Sequence, residues 1–181
     1  MVVIVSIPLV QSYFFNLSNS GKIVIEKNIE AKFLRDVKNN VIVMFFGYVG
    51  CVDVCTPILD KLNMMYNTKQ LQEVKNSFNV VFINLTPKIE KEQANIFAKA
   101  FNEKFQGIYL TQKELFNIER EFGLFFSDDF FDKNELTHTD YIYLLHKTDE
   151  KGYLLKNMYT THPVNEEILI KDIVTLAKKA K

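Results

Sequence analysis

The segment Val41-Ile-Val-Met-Phe-Phe46 is apolar at every position, as a strand covered on both faces must be, and Val80-Val-Phe-Ile-Asn-Leu85 is apolar at all but one. Both are predicted to be central strands, the second stopped by Thr86-Pro87. Between them Ile58, Leu62, Met65 and Tyr66 recur at i, i+4, i+7 and i+8, which gives a helix one buried face. Pro57 suits the first turn of that helix and Thr56 is its candidate N-cap. Ala94, Phe97, Ala98, Phe101 and Phe105 mark the next helix, Glu114 to Phe122 another, and Glu30 to Val37 a short one. Tyr141–Leu145 and Tyr153–Leu155 flank the polar stretch Lys147–Gly152 as a hairpin would. A last helix runs from about Asn165 to Lys178, with Glu166 and Glu167 in its first turn and Lys178 and Lys179 near its end, complementing the helix dipole. Near the start, short apolar stretches surround Asn19-Ser20-Gly21, a turn composition, so a β-hairpin is expected to open the domain. The order β, α, β, α, β, then hairpin and helix, predicts a three-layer α/β domain over residues 15–181.

Residues 1–14 stand apart. Their apolar run, Val2 to Val10, is about half the ~20 residues of a spanning helix, and no Lys or Arg precedes Lys22, so the charged start of a signal peptide is missing. An edge strand and the remnant of a longer membrane anchor are the two readings of this segment. Composition adds that the 181 residues suit one folded domain: 48% are apolar, with 6 Gly and 4 Pro. Twenty-two basic residues balance 22 acidic ones, and without a basic run nucleic acid is not an expected partner.

The only two cysteines, Cys51 and Cys55, follow the first central strand through Gly47-Tyr-Val-Gly50. Sites in open α/β sheets form beyond the carboxyl ends of strands. Two helical cysteines at i, i+4 hold their Cβ atoms about 5–6 Å apart, too far for a disulfide at about 3.8 Å, so Cys51 is placed in the loop. Gly47 and Gly50 are expected to let that loop fold back over Cys55, whose thiolate the following helix N-terminus would favour. Two reduced core cysteines are the plain alternative; a structural zinc site needs four ligands, and only one thiol pair exists. Of three histidines, His138 lies just before the strand Tyr141–Leu145. If that strand runs antiparallel to Val41–Phe46, His138 faces both cysteines. His146 closes the same strand at the far end of the sheet, and His162, ahead of the last helix, has the weaker claim. Two thiolates and one imidazole form a soft three-coordinate set suited to copper, one ion per chain.

Phe46-Gly-Tyr-Val-Gly-Cys-Val-Asp-Val-Cys55 resembles the cysteine segment of the Sco (SenC) family, and His138-Thr139 with Tyr141-Ile-Tyr-Leu144 is similar to that family's histidine segment. The resemblance runs from about Phe15 to Tyr159. It implies a thioredoxin-like, copper-binding accessory factor of cytochrome c oxidase assembly, with Cys51, Cys55 and His138 at the ligand positions. It also implies the oxidase's copper-bearing subunit, or another copper or thiol protein, as partner. The implied location is periplasmic or otherwise extracytoplasmic, tethered to a membrane.

The chain departs from the family at Val52 and Thr56, where Pro usually follows each cysteine, and at Thr86-Pro-Lys-Ile-Glu90, which lacks the usual aspartates and arginine. The competing function is thiol–disulfide exchange by a redox-active Cys51/Cys55 pair. Against it stand the CxxxC spacing and the absence of Pro in Thr137-His-Thr-Asp140, where thioredoxins place one in cis. A peroxiredoxin is excluded, since Tyr48 and Met44 occupy its Thr and Pro positions. A protein-binding scaffold with vestigial cysteines is the third reading.

Overall fold

A computed structural model describes residues 21–128, 136–148 and 152–179. The apolar segment 1–14, the first arm of the expected opening hairpin, and the tip of the 147–152 turn therefore lie outside the described residues.

Strand β1 (Lys22–Ile29) is followed by a single 3-10 turn (Lys32–Leu34) where a short helix was expected, and then by β2 (Val41–Gly47). Helices α1 (Cys55–Tyr66) and α2 (Lys69–Gln72) lead to β3 (Phe78–Asn84) and α3 (Lys91–Phe101). Next come β4 (Gln106–Tyr109), α4 (Gln112–Phe122), and the short strands β5 (Phe126–Asp128) and β6 (Leu136–His138). The chain closes with β7 (Ile142–Lys147), β8 (Tyr153–Tyr159) and α5 (Glu166–Lys179).

Six strands form one sheet in the order β1-β8-β7-β2-β3-β4. β2, β3 and β4 are parallel, whereas β7 runs antiparallel to β2 and β8 to β7. β1 pairs antiparallel with β8 at the sheet edge. The alternation along β2 shows why its sequence is apolar throughout. Val41, Val43 and Phe45 enter a core roofed by α1, α2, α3 and α5, while Ile42, Met44 and Phe46 enter a second core under the 3-10 turn and α4. All seven residues of β2 are buried, and removing such side chains from water on both sides of one strand is what makes the sheet the middle of three layers.

Three local expectations change. α1 starts at Cys55 with Val54 ahead of it and no side-chain cap; the Thr56 hydroxyl instead donates to the Cys51 carbonyl at 3.0 Å. α3 stops at Phe101, so Phe105 is buried from the loop and not from the helix. β4 was not expected at all: Gly107 lets it lie against α3, where a Cβ would sit 1.9 Å from the Ala94 carbonyl oxygen.

Candidate metal centre

β2 ends at Gly47, and the chain turns through Tyr48–Cys51 with the Cys51 N–H donating to the Tyr48 carbonyl at 3.2 Å. Gly50 has φ +94°, a conformation that side chains strain to adopt, and it gives the loop the bend expected of it. Gly47 works differently. Its φ is not positive; a Cβ there would lie 2.6 Å from the Cys55 sulfur. Glycine at 47 leaves the room that the thiol at the start of α1 occupies.

Cys51 thus sits in the loop and Cys55 at the first position of α1, both buried and both free thiols. The Cys55 backbone N–H donates to the Cys51 sulfur at 3.3 Å. The ionisation is the reverse of the expected one, with Cys51 and not Cys55 the thiol inclined to ionise. A hydrogen bond from the Cys55 thiol is the largest influence holding Cys51 well below the usual thiol range. Burial opposes it, and His138 and the Cys55 N–H reinforce it. Cys55 is pushed up, first by donating to Cys51, then by burial and by the neighbouring thiolate charge. The first thiolate is Cys51.

His138 reaches the pair from the end of β6, a short strand that pairs with β5 through Phe126 and leads directly into β7. β7 does run antiparallel to β2, with Ile142 opposite Phe45, so the chain arriving at its start lies at the carboxyl end of β2. His138 Nε2 stands 3.8 Å from the Cys55 sulfur. Its Nδ1 lies 3.0 Å from the Thr139 carbonyl oxygen, an acceptor, so Nδ1 donates there and in the neutral imidazole the Nε2 lone pair faces the thiols. Tyr48 and Phe45 hold the ring edgewise, with centroids 5.9 Å and 6.4 Å away. Burial is the largest influence on the imidazole and lowers its pKa. The bonds to Cys51 and Thr139, with the charges of Cys51 and Asp140, outweigh it and leave His138 above the usual value.

The donor atoms of Cys51, Cys55 and His138 all lie within 4.8 Å of one another, and among the described residues they form the group that could hold a metal ion. Two donors each about 2.0–2.3 Å from a common ion stand roughly 3.5–3.8 Å apart, so the Cys55–His138 separation suits shared ligation. Cys51 and His138 line a cleft of about 570 Å³ bordered by Tyr48, Asp53, Leu136 and Asp140, and Cys55 lies buried behind them. His146 lies at the opposite end of the sheet, opposite Val41. His162 pairs with Asp140 at 3.1 Å and lines a separate groove beside the cleft.

One neighbour escaped the sequence reading. Asn84, the single polar position of the second apolar run, is fully buried; its Oδ1 accepts from the Val49 N–H at 3.1 Å and its Nδ2 donates to the Thr86 carbonyl. A lone Asn in an otherwise apolar strand was the available signal.

A βαβ unit (β2, α1 and α2, β3) joined to a ββα unit (β7, β8, α5), with a CxxxC loop after the first strand, defines a thioredoxin-like domain built to present two thiols and an imidazole together. The profile of the SCO1/SenC family matches residues 25–178, and the chain belongs to that family, whose members are described as cytochrome c oxidase assembly proteins. A SCO2-like protein of Rickettsia conorii is 26% identical over 144 residues, covering 75% of this chain and 66% of the relative. The chain thus spans just under two thirds of that curated relative's length. The copper-bound ScoI of Arabidopsis thaliana superposes with a TM-score of 0.62 at 18% identity, over 78% of this chain and 86% of that one. A SCO1/SenC family lipoprotein from Bacillus anthracis gives 0.60 at 23% identity, over 80% and 85%. Among the described residues no helix is long and apolar enough to cross a membrane.

Proposed function

We propose that this chain binds one copper ion through the sulfurs of Cys51 and Cys55 and Nε2 of His138, and delivers it to the copper site of cytochrome c oxidase or prepares that site's thiols. The observation that carries the reading is the convergence of two thiols and an imidazole within 4.8 Å, with Cys51 and His138 lining a cleft at the surface. Thiolates select soft copper, and three protein donors leave a position through which a partner's ligand can enter. The copper is cargo. What the protein supplies is a Cys51 sulfur already inclined to ionise, a Cys55 thiol that gives up its proton only as the ion binds, and a histidine held by Thr139 with its lone pair inward.

The oxidase as destination, its copper-bearing subunit as partner and a membrane-tethered extracytoplasmic location follow the family resemblance, supported by the copper-bound and lipoprotein neighbours. In this reading residues 1–14 are a segment outside the domain at 15–181.

The depressed Cys51 thiol favours a second role for the same pair. Cys51 thiolate would attack one sulfur of a partner disulfide, expelling the other as thiolate; Cys55 would then attack Cys51, releasing the partner as a dithiol and leaving Cys51–Cys55 oxidised. Two electrons pass to the partner, and an external reductant of the dithiol class restores the pair.

Elemental analysis after gel filtration tests the metal. One copper per chain is expected, lost in Cys51→Ser and in Cys55→Ser; unchanged copper in both variants would overturn the reading. His138→Ala separates the two roles, because copper binding needs the imidazole and disulfide exchange does not.

A further inference from the structure

The end of β3 holds the loop that carries Cys51 at two points. The Leu85 N–H donates to the Gly47 carbonyl at 2.7 Å, and the Val49 N–H donates to Asn84 Oδ1 at 3.1 Å. The other end of the same amide donates to the Thr86 carbonyl, at the start of the segment where the chain lacks its family's aspartates and arginine. Asn84 is therefore a bracket with one arm on the cysteine loop and one on the 86–90 loop. It is fully buried, and both ends of its amide are bonded.

We propose that Asn84 is the residue that positions the copper-binding loop, holding the Tyr48–Val49 peptide so that Cys51 stays over Cys55 and Tyr48 stays against His138. The inference rests on the copper reading and adds a residue that touches neither copper nor its donors. The geometry runs in short steps. Val49 is the acceptor-seeking amide between Tyr48, whose ring meets His138 edge-on, and Gly50, whose positive φ turns the chain into Cys51. The Tyr48 carbonyl in turn takes the Cys51 N–H. Releasing Val49 frees the residues on both sides of it, and Cys51 with them. The fold itself has little stake in this bond, because β2 and β3 are already paired along their whole length from Val41–Phe78 to Gly47–Asn84.

The chemistry required of position 84 is specific. An acceptor must point at Val49 and a donor at Thr86, and an amide offers both from one planar group. Outer partners that orient metal ligands are commonly worth about 10- to 100-fold in metal affinity.

The test compares Asn84→Ala with Asn157→Ala. Asn157 is also buried, but it bonds Tyr159 and Asp172, between β8 and α5. Copper titrations and the Cu(II)–thiolate absorption band are read beside the melting temperature. Asn84→Ala should weaken copper binding about tenfold or more and shift the band, whereas Asn157→Ala should lower the melting temperature and leave both unchanged. Asn84→Asp, which keeps an acceptor for Val49, should restore part of the affinity. An unchanged band and affinity in Asn84→Ala, with the wild type binding copper normally, overturns the proposal. So does an equal copper loss in Asn157→Ala. A wild type that binds no copper refutes the parent reading instead. Amide exchange of the unaltered protein covers the case in which the variants do not fold: the Val49 amide should be protected, and rapid exchange there also overturns the proposal.

Discussion

His138 stands ahead of β7 and His146 near its other end, eight residues apart, yet only one of them meets chemistry. β7 pairs with β2 over its length, Ile142 opposite Phe45 and His146 opposite Val41. At the Phe45 end β2 runs out into Gly47–Cys51 and the helix start at Cys55, so the histidine arriving there finds two thiols, the Tyr48 and Phe45 rings, and the Thr139 carbonyl. At the Val41 end β2 begins. A histidine becomes a ligand candidate here through the end of the sheet it occupies, since loops after parallel strands are where side chains from separate elements converge. Its own sequence neighbours decide little.

The sharpest break of that contrast is substitution of each histidine in turn. His138→Ala should weaken Cu(II) binding by more than the roughly 100-fold that marks the upper range for a ligand's outer partners, because it removes a donor itself and the set's only nitrogen. Cu(I), which depends more on the sulfurs, should lose less. His146→Ala and His162→Ala should stay within error of the wild type in the same competition titration. Equal losses at His138 and His146 would erase the distinction between the two ends.

A smaller effect is expected from the glycine that separates β2 from its loop. Gly47→Ala places a methyl 2.6 Å from the Cys55 sulfur, and overpacking of this kind costs about 1–3 kcal/mol. Chemical denaturation should show that loss together with weaker copper binding. The loss should be confined to the site end of the strand, so a variant that loses stability but binds copper as before would place the Cys55 thiol elsewhere.

The pH dependence has a definite sign. Copper takes the neutral imidazole, and the His138 pKa is raised, so protons compete already above the ordinary histidine value of 6.5. Affinity already falls as the pH drops, through the proton that Cys55 releases on binding; below the raised His138 value the fall should steepen by about a further tenfold per unit, and His138→Ala should remove that added steepness. The His138 charge acts on stability in the opposite sense. A raised folded-state pKa stabilises the metal-free protein fully below the unfolded value, and that contribution fades as the pH rises through the folded one. A pH titration of apo-protein melting temperature, with His138→Ala as reference, reads this difference.

The least perturbing prediction concerns the thiols alone. Their sulfurs lie within 4.8 Å and a disulfide needs about 2.05 Å, a closure that the Gly50 turn allows. Mild oxidation without metal should take the titratable thiols from two to none, and bound copper should prevent it. Two thiols persisting in the metal-free protein would show the loop to be rigid.

Much of this architecture could be read from the chain itself. Val41–Phe46 announced a doubly covered strand because burial on both faces leaves no polar position, and its antiparallel partner then located His138 near the cysteines. What escaped depended on contacts distant in sequence. β4 is four half-buried residues around Gly107, without alternation to reveal it. The β5–β6 ribbon is two three-residue strands whose pairing carries no periodic signal. The ionisation order failed for a similar reason. A helix N-terminus next to Cys55 suggested that its thiol would ionise, but the hydrogen bond that the Cys55 thiol donates to Cys51 weighs more and holds the proton on Cys55. Asn84 showed itself only as a polar interruption, and its two partners required coordinates.

The most direct measurement is X-ray absorption at the copper edge of the loaded, reduced protein. Two sulfur scatterers and one imidazole nitrogen are predicted, with the imidazole signal absent in His138→Ala and retained in His146→Ala. A spectrum with fewer than two sulfurs, or with the imidazole persisting in His138→Ala, would contradict the site built from Cys51, Cys55 and His138.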